Sequence, residues 1–303
     1  MDNNTCIRQA FFTGLPGCDV KPGKPVGLLF CSDDTEMTPS QAGDVLSYFK
    51  PMLTAEDPEK RILPVYGMKQ VDSGYTEPTE GTLAGYGYSE KLADGTIKET
   101  FNFPLQICVA KMLTNFDGFS GRVFILCDNG VLLVERKSNG NYTGIKVDNA
   151  GFQMNAPFGD GQNISVVKIS LSLGSDKRLA KALWGIKTDL EKEDLPGLID
   201  LTLTQISPLK FSVTTACSGS NLFDSYKNEL ATAGVWSVIN TFSGYAVTVS
   251  AVASDAVTKA FTLTIPSVPV NTSLKVSLAL PSELEAAGIS GYAQSSPIII
   301  KTV

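Results

Sequence analysis

Apolar and polar residues alternate over short stretches along most of the chain, the two-residue period of half-buried β-strands. The clearest case lies within Asn163–Leu173. There Val167, Ile169, Leu171 and Leu173 alternate with Lys168, Ser170 and Ser172, which predicts one buried and one wet face. Val26–Phe30 is an apolar run of strand length. Val123–Cys127 and Val131–Val134 flank Asp128-Asn129-Gly130, a hairpin signal, because Asn and Gly tolerate the positive φ of a tight turn. Ser138-Asn139-Gly140 predicts a second turn, leading into a strand over Tyr142–Val147, and Gly151–Met154 continues the pattern. Arg61–Val71 reads as one strand. Thr82–Phe103 reads as two, joined at Asp94-Gly95, with Tyr86 and Tyr88 before the turn and Ile97, Phe101 and Phe103 after it.

A three-to-four-residue period appears in fewer places. Thr38-Pro39-Ser40 opens a predicted helix through Phe49, with Val45, Leu46 and Phe49 on one face and Pro51 as its end. Pro104–Phe116 predicts a helix with Pro104 in its first turn and a stripe of Leu105, Cys108, Val109, Met112 and Leu113, stopped by Gly118. Ser175–Lys192 reads as a helix or helical arm, with Leu179, Leu183, Ile186 and Leu190 on one side, broken at Leu195-Pro196-Gly197. Leu198–Leu203 is read as closing the first domain.

Beyond it, short strands are expected at Lys210–Thr215, Val235–Asn240, Ala246–Ala251, Ala260–Ile265, Leu274–Leu280 and Pro297–Lys301, with a helical turn at Leu222–Leu230. That spacing predicts an immunoglobulin-like sandwich of about 100 residues. Trp236 is expected on a central strand and Tyr292 as a corner tyrosine. The domain reading is 1–200 for a β domain with an N-terminal extension and 201–303 for the sandwich.

Composition sharpens this picture. At 303 residues, 43% apolar and 18% charged, the chain can bury a core and does not read as disordered. The net charge of −6 and the lack of a basic stripe argue against nucleic-acid binding. From Leu201 onward five acids balance five bases, so the whole negative charge lies in the first domain. There is no histidine, which removes Ser-His, Cys-His and most zinc mechanisms. Cys6, Cys18, Cys31, Cys108, Cys127 and Cys217 form no C-x-x-C pair and read as reduced and buried, with a disulfide among Cys6, Cys18 and Cys31 as the alternative. The N-terminus does not read as a signal peptide, and no run approaches a membrane span, so synthesis in the cytoplasm is expected.

No motif for chemistry stands out. Asp33-Asp34-Thr35-Glu36 lacks the spacing of a calcium loop and reads as a solvated loop before a helix. Gly159–Asn163 reads as a turn rather than a calcium site with Asp148 or Asn149. Gly85-Tyr86-Gly87-Tyr88 lacks the third glycine of a dinucleotide fingerprint. The S-x-x-K tetrads at Ser47, Ser165 and Ser207 lack the companion motifs of an acyl-enzyme. Tyr66, Tyr75, Tyr86 and Tyr88 read as packing residues rather than a sugar platform. No catalytic, cofactor or metal residue is assigned, no cofactor is expected, and the chain is not read as an enzyme.

The order of elements carries a resemblance. A Gly-rich aromatic hairpin at Thr82–Phe103, a helix at Pro104–Phe116 and a meander over Gly121–Leu173, followed by an appended sandwich at Leu203–Val303, resembles the major tail tube proteins of tailed bacteriophages. The first sixty residues, with their extra helix, depart from the plain tube pattern. The resemblance implies a mainly β, tail-tube-like sandwich or barrel with a flanking helix. It also implies a virion structural protein, assembled in the host cytoplasm, that stacks as hexameric rings with copies of itself and meets other virion proteins. DNA would pass without specific binding, through a lumen expected to be acidic, and no membrane is involved. Asp72–Phe103 and Ser175–Pro196 are the expected assembly arms. The alternatives are a head decoration or fibre-base protein, or a carbohydrate-binding adhesive module using Tyr226, Trp236, Tyr245 or Tyr292.

Overall fold

The computed structural model describes residues 20–83, 88–155, 165–266 and 271–302. The chain is mainly β. It divides into two compact units, one of residues through Lys50 with Ile62–Leu195, the other of Pro51–Arg61 with Pro196 onward.

The elements through Lys187 are β1 (Pro25–Cys31), β2 (Glu36–Met37), α1 (Val45–Leu53), β3 (Leu63–Tyr66), β4 (Gln70–Thr76), β5 (Thr79–Leu83), β6 (Tyr88–Ala93), β7 (Thr96–Pro104), α2 (Ile107–Thr114), β8 (Gly121–Cys127), β9 (Val131–Arg136), β10 (Tyr142–Thr143), β11 (Ile145–Val147), β12 (Asn149–Asn155), β13 (Val166–Ser175), α3 (Asp176–Ala182) and β14 (Leu183–Lys187). One antiparallel sheet runs β2-β10-β9-β8-β1-β3, with β11 also on β8 and β14 on β9. A second runs β12-β13-β7-β4, and β5 and β6 form a separate two-stranded ribbon. The inward residues of the first sheet, among them Leu28, Phe30, Val123, Ile125 and Val147, share one core with Phe101, Phe103, Val167, Ile169 and Leu171 of the second. Ala110 and Leu113 of α2 and Leu179 of α3 complete it. The predicted alternation in β13 is the reason for this core: its four apolar side chains all point to one face.

The second unit holds β15 (Leu201–Ser207), β16 (Lys210–Thr215), α4 (Phe223–Leu230), β17 (Trp236–Asn240), β18 (Ala251–Asp255), β19 (Ala260–Thr264), β20 (Ser273–Leu278), α5 (Pro281–Ala286) and β21 (Ile298–Lys301). The sheets run β15-β16-β19-β18 and β17-β20-β21. In chain order these are strands A-B-E-D and C-F-G, the constant-type immunoglobulin arrangement. The expected immunoglobulin-like sandwich is present, but with seven strands where six are expected: β15 falls where the first domain is expected to close, and the strand expected over Ala246–Ala251 lies at Ala251–Asp255. Phe211, Phe261, Trp236, Val276 and Leu278 lie in its core.

Several expectations are corrected. Arg61–Val71 is two strands, because Gly67 adopts φ +90°, open to glycine and costly for other residues, and turns the chain between β3 and β4. The first helix starts at Val45 rather than Ser40, where Asp44 caps it by accepting from the Ser47 N–H at 3.1 Å. It runs through Pro51, which lies in its last turn, where little of the helix remains for the missing N–H to break. Pro104 ends β7 instead of opening α2, and in α2 the Met112 and Ile107 side chains face solvent. Tyr142–Val147 is split between two partners, β10 on β9 and β11 on β8. Ser175–Lys192 is not a helical arm: α3 is seven residues long and β14 then pairs with β9, so the Leu183–Leu190 periodicity belongs to a strand and a loop. Leu201 opens the second unit instead of closing the first. Trp236 lies on an outer strand of its sheet, yet it is buried between Phe211 and Phe261, and its Nε1 donates to the Leu230 carbonyl at 2.8 Å. Tyr292 is no corner tyrosine. It falls between β20 and β21, with its ring edge-on to Tyr226 at 5.7 Å. Cys31 and Cys127 are free and buried, but Cys108 and Cys217 are each in a disulfide rather than reduced, which spacing in the sequence does not reveal; Cys6 and Cys18 lie outside the described residues. Gly159–Asn163 and Tyr86 lie outside the described residues.

Candidate assembly surface

The register of the second sheet sorts its residues into two faces. Val71, Phe101, Ile169 and Phe152 stand in one row across all four strands and point into the core. The rows on either side point outward: Gln70, Asn102, Lys168 and Gln153, then Asp72, Thr100, Ser170 and Gly151. Hydrogen bonds knit this outer face. Thr100 and Ser170 share one at 2.8 Å, and Asn102 Nδ2 donates to Asp72 at 2.7 Å while Gln70 donates to its other oxygen at 2.6 Å. These bonds hold the Asp72 carboxyl below the usual carboxylate range. With Lys98 in the next row, the face carries two cations and one anion. It is polar and close to neutral rather than acidic.

The two edges of this sheet differ. Among the described residues β4 pairs only with β7, and six of its seven residues are exposed. Its outer backbone groups are the kind of template that another strand can extend. The β12 edge is half closed. Ala150 donates to the Phe119 carbonyl, Gly118 donates to the Ala150 carbonyl, and the Phe152 N–H donates to Asp117 Oδ1 at 3.0 Å. Among the described residues, the end near Met154 has no such partner.

The expected arm at Asp72–Phe103 takes an unexpected form. Asp94-Gly95 is not a hairpin turn. β7 pairs upstream with β4 from Thr96↔Thr76 to Asn102↔Gln70, and β6 pairs with β5 from Ala93↔Thr79 to Tyr88↔Leu83. Both strands therefore pass the Asp94-Gly95 position without reversing. The local turn signal lost to the longer pairing with β4, a segment too far upstream for dipeptide chemistry to sense.

An ionic network ties the first unit together. The buried Glu135 carboxylate accepts from Arg122 Nη1 at 3.1 Å and Arg178 Nη1 at 2.6 Å. Arg122 and Lys146 also meet Asp33 at 3.5 and 2.7 Å. Glu36 accepts from Lys137, Asn139 and Asn141, which pull its carboxyl down to about 2. The acidic loop read as solvated thus clamps the β9–β10 turn and β11. Sequence reasoning missed this, because Lys137 lies 101 residues from Glu36 and Lys146 lies 113 from Asp33.

The remaining candidates are buried cysteines, a groove and two displayed rings. Burial pushes the Cys31 thiol up to about 12 and Cys127 to about 11, so neither is a thiolate near neutral pH. A groove of about 530 Å³ beside the β8–β9 turn is lined by Asp44, Asn129, Lys187 and Asp189 among others. No group of acidic or cysteine side chains among the described residues can hold a metal ion, and no helix among them is long and apolar enough to cross a membrane. Tyr66 packs against Gly27, where a Cβ would meet its ring at 2.6 Å. On the second unit Tyr245 is 78% exposed, and Phe242, unmarked by sequence reasoning, is 99% exposed. Asn240 Oδ1 accepts from the Phe242 and Ser243 N–H groups and so fixes the loop that presents both rings. No protein-family model and no curated protein matches the chain.

Proposed function

We propose that this chain is a virion structural protein that assembles with copies of itself, most simply as the rings of a tail tube. The observation that carries this reading is the second sheet: four antiparallel strands, a polar and nearly neutral outer face, and one long exposed edge at β4. A strand of a second copy laid on β4 satisfies its outer backbone groups, and a closed ring removes the open edges. The jointed arm beyond β4 and β7 gives each copy a reach outside its own sandwich. A near-neutral polar face turned to a channel neither traps phosphates nor repels them strongly. Negative-stain microscopy of the concentrated protein tests the reading: rings or tubes with a central hole support it, and single particles at every salt concentration sink it. Trimers or five-fold rings would move the assignment to a decoration or fibre-base protein.

A second reading has its own observation. Phe242 and Tyr245 stand exposed on a braced loop of the immunoglobulin-like unit, an arrangement suited to stacking on sugar rings. Glycan binding that is lost in Tyr245→Ala would favour an adhesive role for that unit.

A further inference from the structure

The arm has a joint, and the joint is latched. Between the β4–β7 ladder, which ends at Thr76↔Thr96, and the β5–β6 ladder, which starts at Thr79↔Ala93, two residues on each strand are unpaired. These are Glu77 and Pro78 on one side and Asp94 and Gly95 on the other. Pro78 has no N–H to give to a ladder. A break of equal length in both strands is where a two-stranded ribbon bends with least loss of pairing.

Three contacts converge on this break. The Tyr75 ring lies directly over Gly95, where an added Cβ would stand 2.7 Å from its Cζ. The Tyr75 hydroxyl donates to Asp176 Oδ2 at 3.0 Å. The Asp176 N–H donates to the Gly95 carbonyl at 3.0 Å. Asp176 is the first residue of α3, and α3 is held to the body by Arg178, whose guanidinium bonds Glu135 and the Leu173 carbonyl, both at 2.6 Å. Lys91 and Asp94 add an ion pair at 2.7 Å on the arm side. Gly95 is required here by the ring above it, not by its backbone angle.

We propose that Tyr75, Gly95 and Asp176 form a latch that sets the direction of the β5–β6 arm, with α3 and the Arg178–Glu135 pair as its anchor. Opening the latch frees the arm at the joint while the sandwich stays folded. The inference holds whatever the arm meets, so it stands apart from the assembly reading.

Hydrogen exchange by mass spectrometry on the full chain tests it. Tyr75→Phe removes one exposed hydroxyl and leaves the ring, so it folds. It should raise exchange over Thr79–Leu83 and Tyr88–Ala93 about fivefold, a factor in keeping with the loss of one hydrogen bond, and leave Val166–Leu173 unchanged. Gly95→Ala should loosen the arm further by displacing the ring. In a Tyr75→Ala background Gly95→Ala should add nothing, because the clash is gone. Arm exchange unchanged in both single variants overturns the proposal. So does a rise shared equally by Val166–Leu173.

Discussion

The two sandwiches reach stability by different routes. The immunoglobulin-like unit is held by an apolar core, with Phe223, Phe261, Trp236 and Phe211 in ring contact, and its ion pairs among the described residues sit at the β18–β19 end, Asp255 with Lys210 and Lys259 with Asp224 of α4. The first unit has an apolar core as well, but it also runs a carboxylate, Glu135, into a buried position among two arginines and uses acidic side chains to hold loops from distant parts of the chain. Plain strand order and short turns need no such ties. A sandwich whose loops and α3 must be pinned for an arm to be aimed does.

Each unit can be cut at its own support. Phe261→Ala should cost the second unit about 4 kcal/mol, since the ring is fully buried among aromatics. Glu135→Ala should cost the first unit about 3 kcal/mol by leaving Arg122 and Arg178 without their shared partner, at the low end for a buried pair because Arg178 is partly exposed. Urea unfolding followed by unit-resolved hydrogen exchange reads both. If Glu135→Ala weakened the second unit as much as the first, the network would not be local and the comparison would fail.

Acid separates the units more gently. Glu36 is held well below an ordinary carboxylate by Lys137, Asn141 and Asn139. A depressed folded value means that its contribution is present above the unfolded value, about 4.3, and is lost as pH falls from there toward about 2. Asp255 is likewise lowered, first by Lys210 and then by Thr258, so the second unit should also lose stability as pH falls below about 4. Glu36→Gln should flatten the acid slope of the first unit alone, and Asp255→Asn that of the second alone. Exchange measured at pH 5 and pH 3 distinguishes the two. A slope in the first unit that survives Glu36→Gln would assign its acid sensitivity elsewhere.

The sequence was informative where period and turn chemistry are local. The alternation of Val167 to Leu173 and the Asp128-Asn129-Gly130 hairpin appear as read, and so do most strands of the second unit, though Leu201–Ser207 was missed and Ala246–Ala251 is displaced to Ala251–Asp255. It misled where a distant partner decided. Leu183 and Ile186 fit a helix until β9 is there to pair with them, and Asp94-Gly95 fits a turn until β4 takes β7. The candidate assembly surface was legible only as a stretch of arm. The contacts at Gly95 depend on Asp176, 101 residues from Tyr75.

The smallest expected effect is the most telling about role. Phe242 and Tyr245 give up apolar exposure to water without a partner in the chain's own core, so neither contributes to folding in the way that Phe261 does. Phe242→Ala and Tyr245→Ala should each change stability by less than about 0.5 kcal/mol. A loss much above that would mean that the loop is packed in solution, and the contrast between core rings and displayed rings would disappear. If stability is unchanged, any loss of ring formation or of glycan binding in these variants reads directly as contact with something outside the chain. A defect in rings would place the loop between subunits. A defect in glycan binding alone would assign the loop to sugar recognition, with the β4 edge left as the candidate assembly surface.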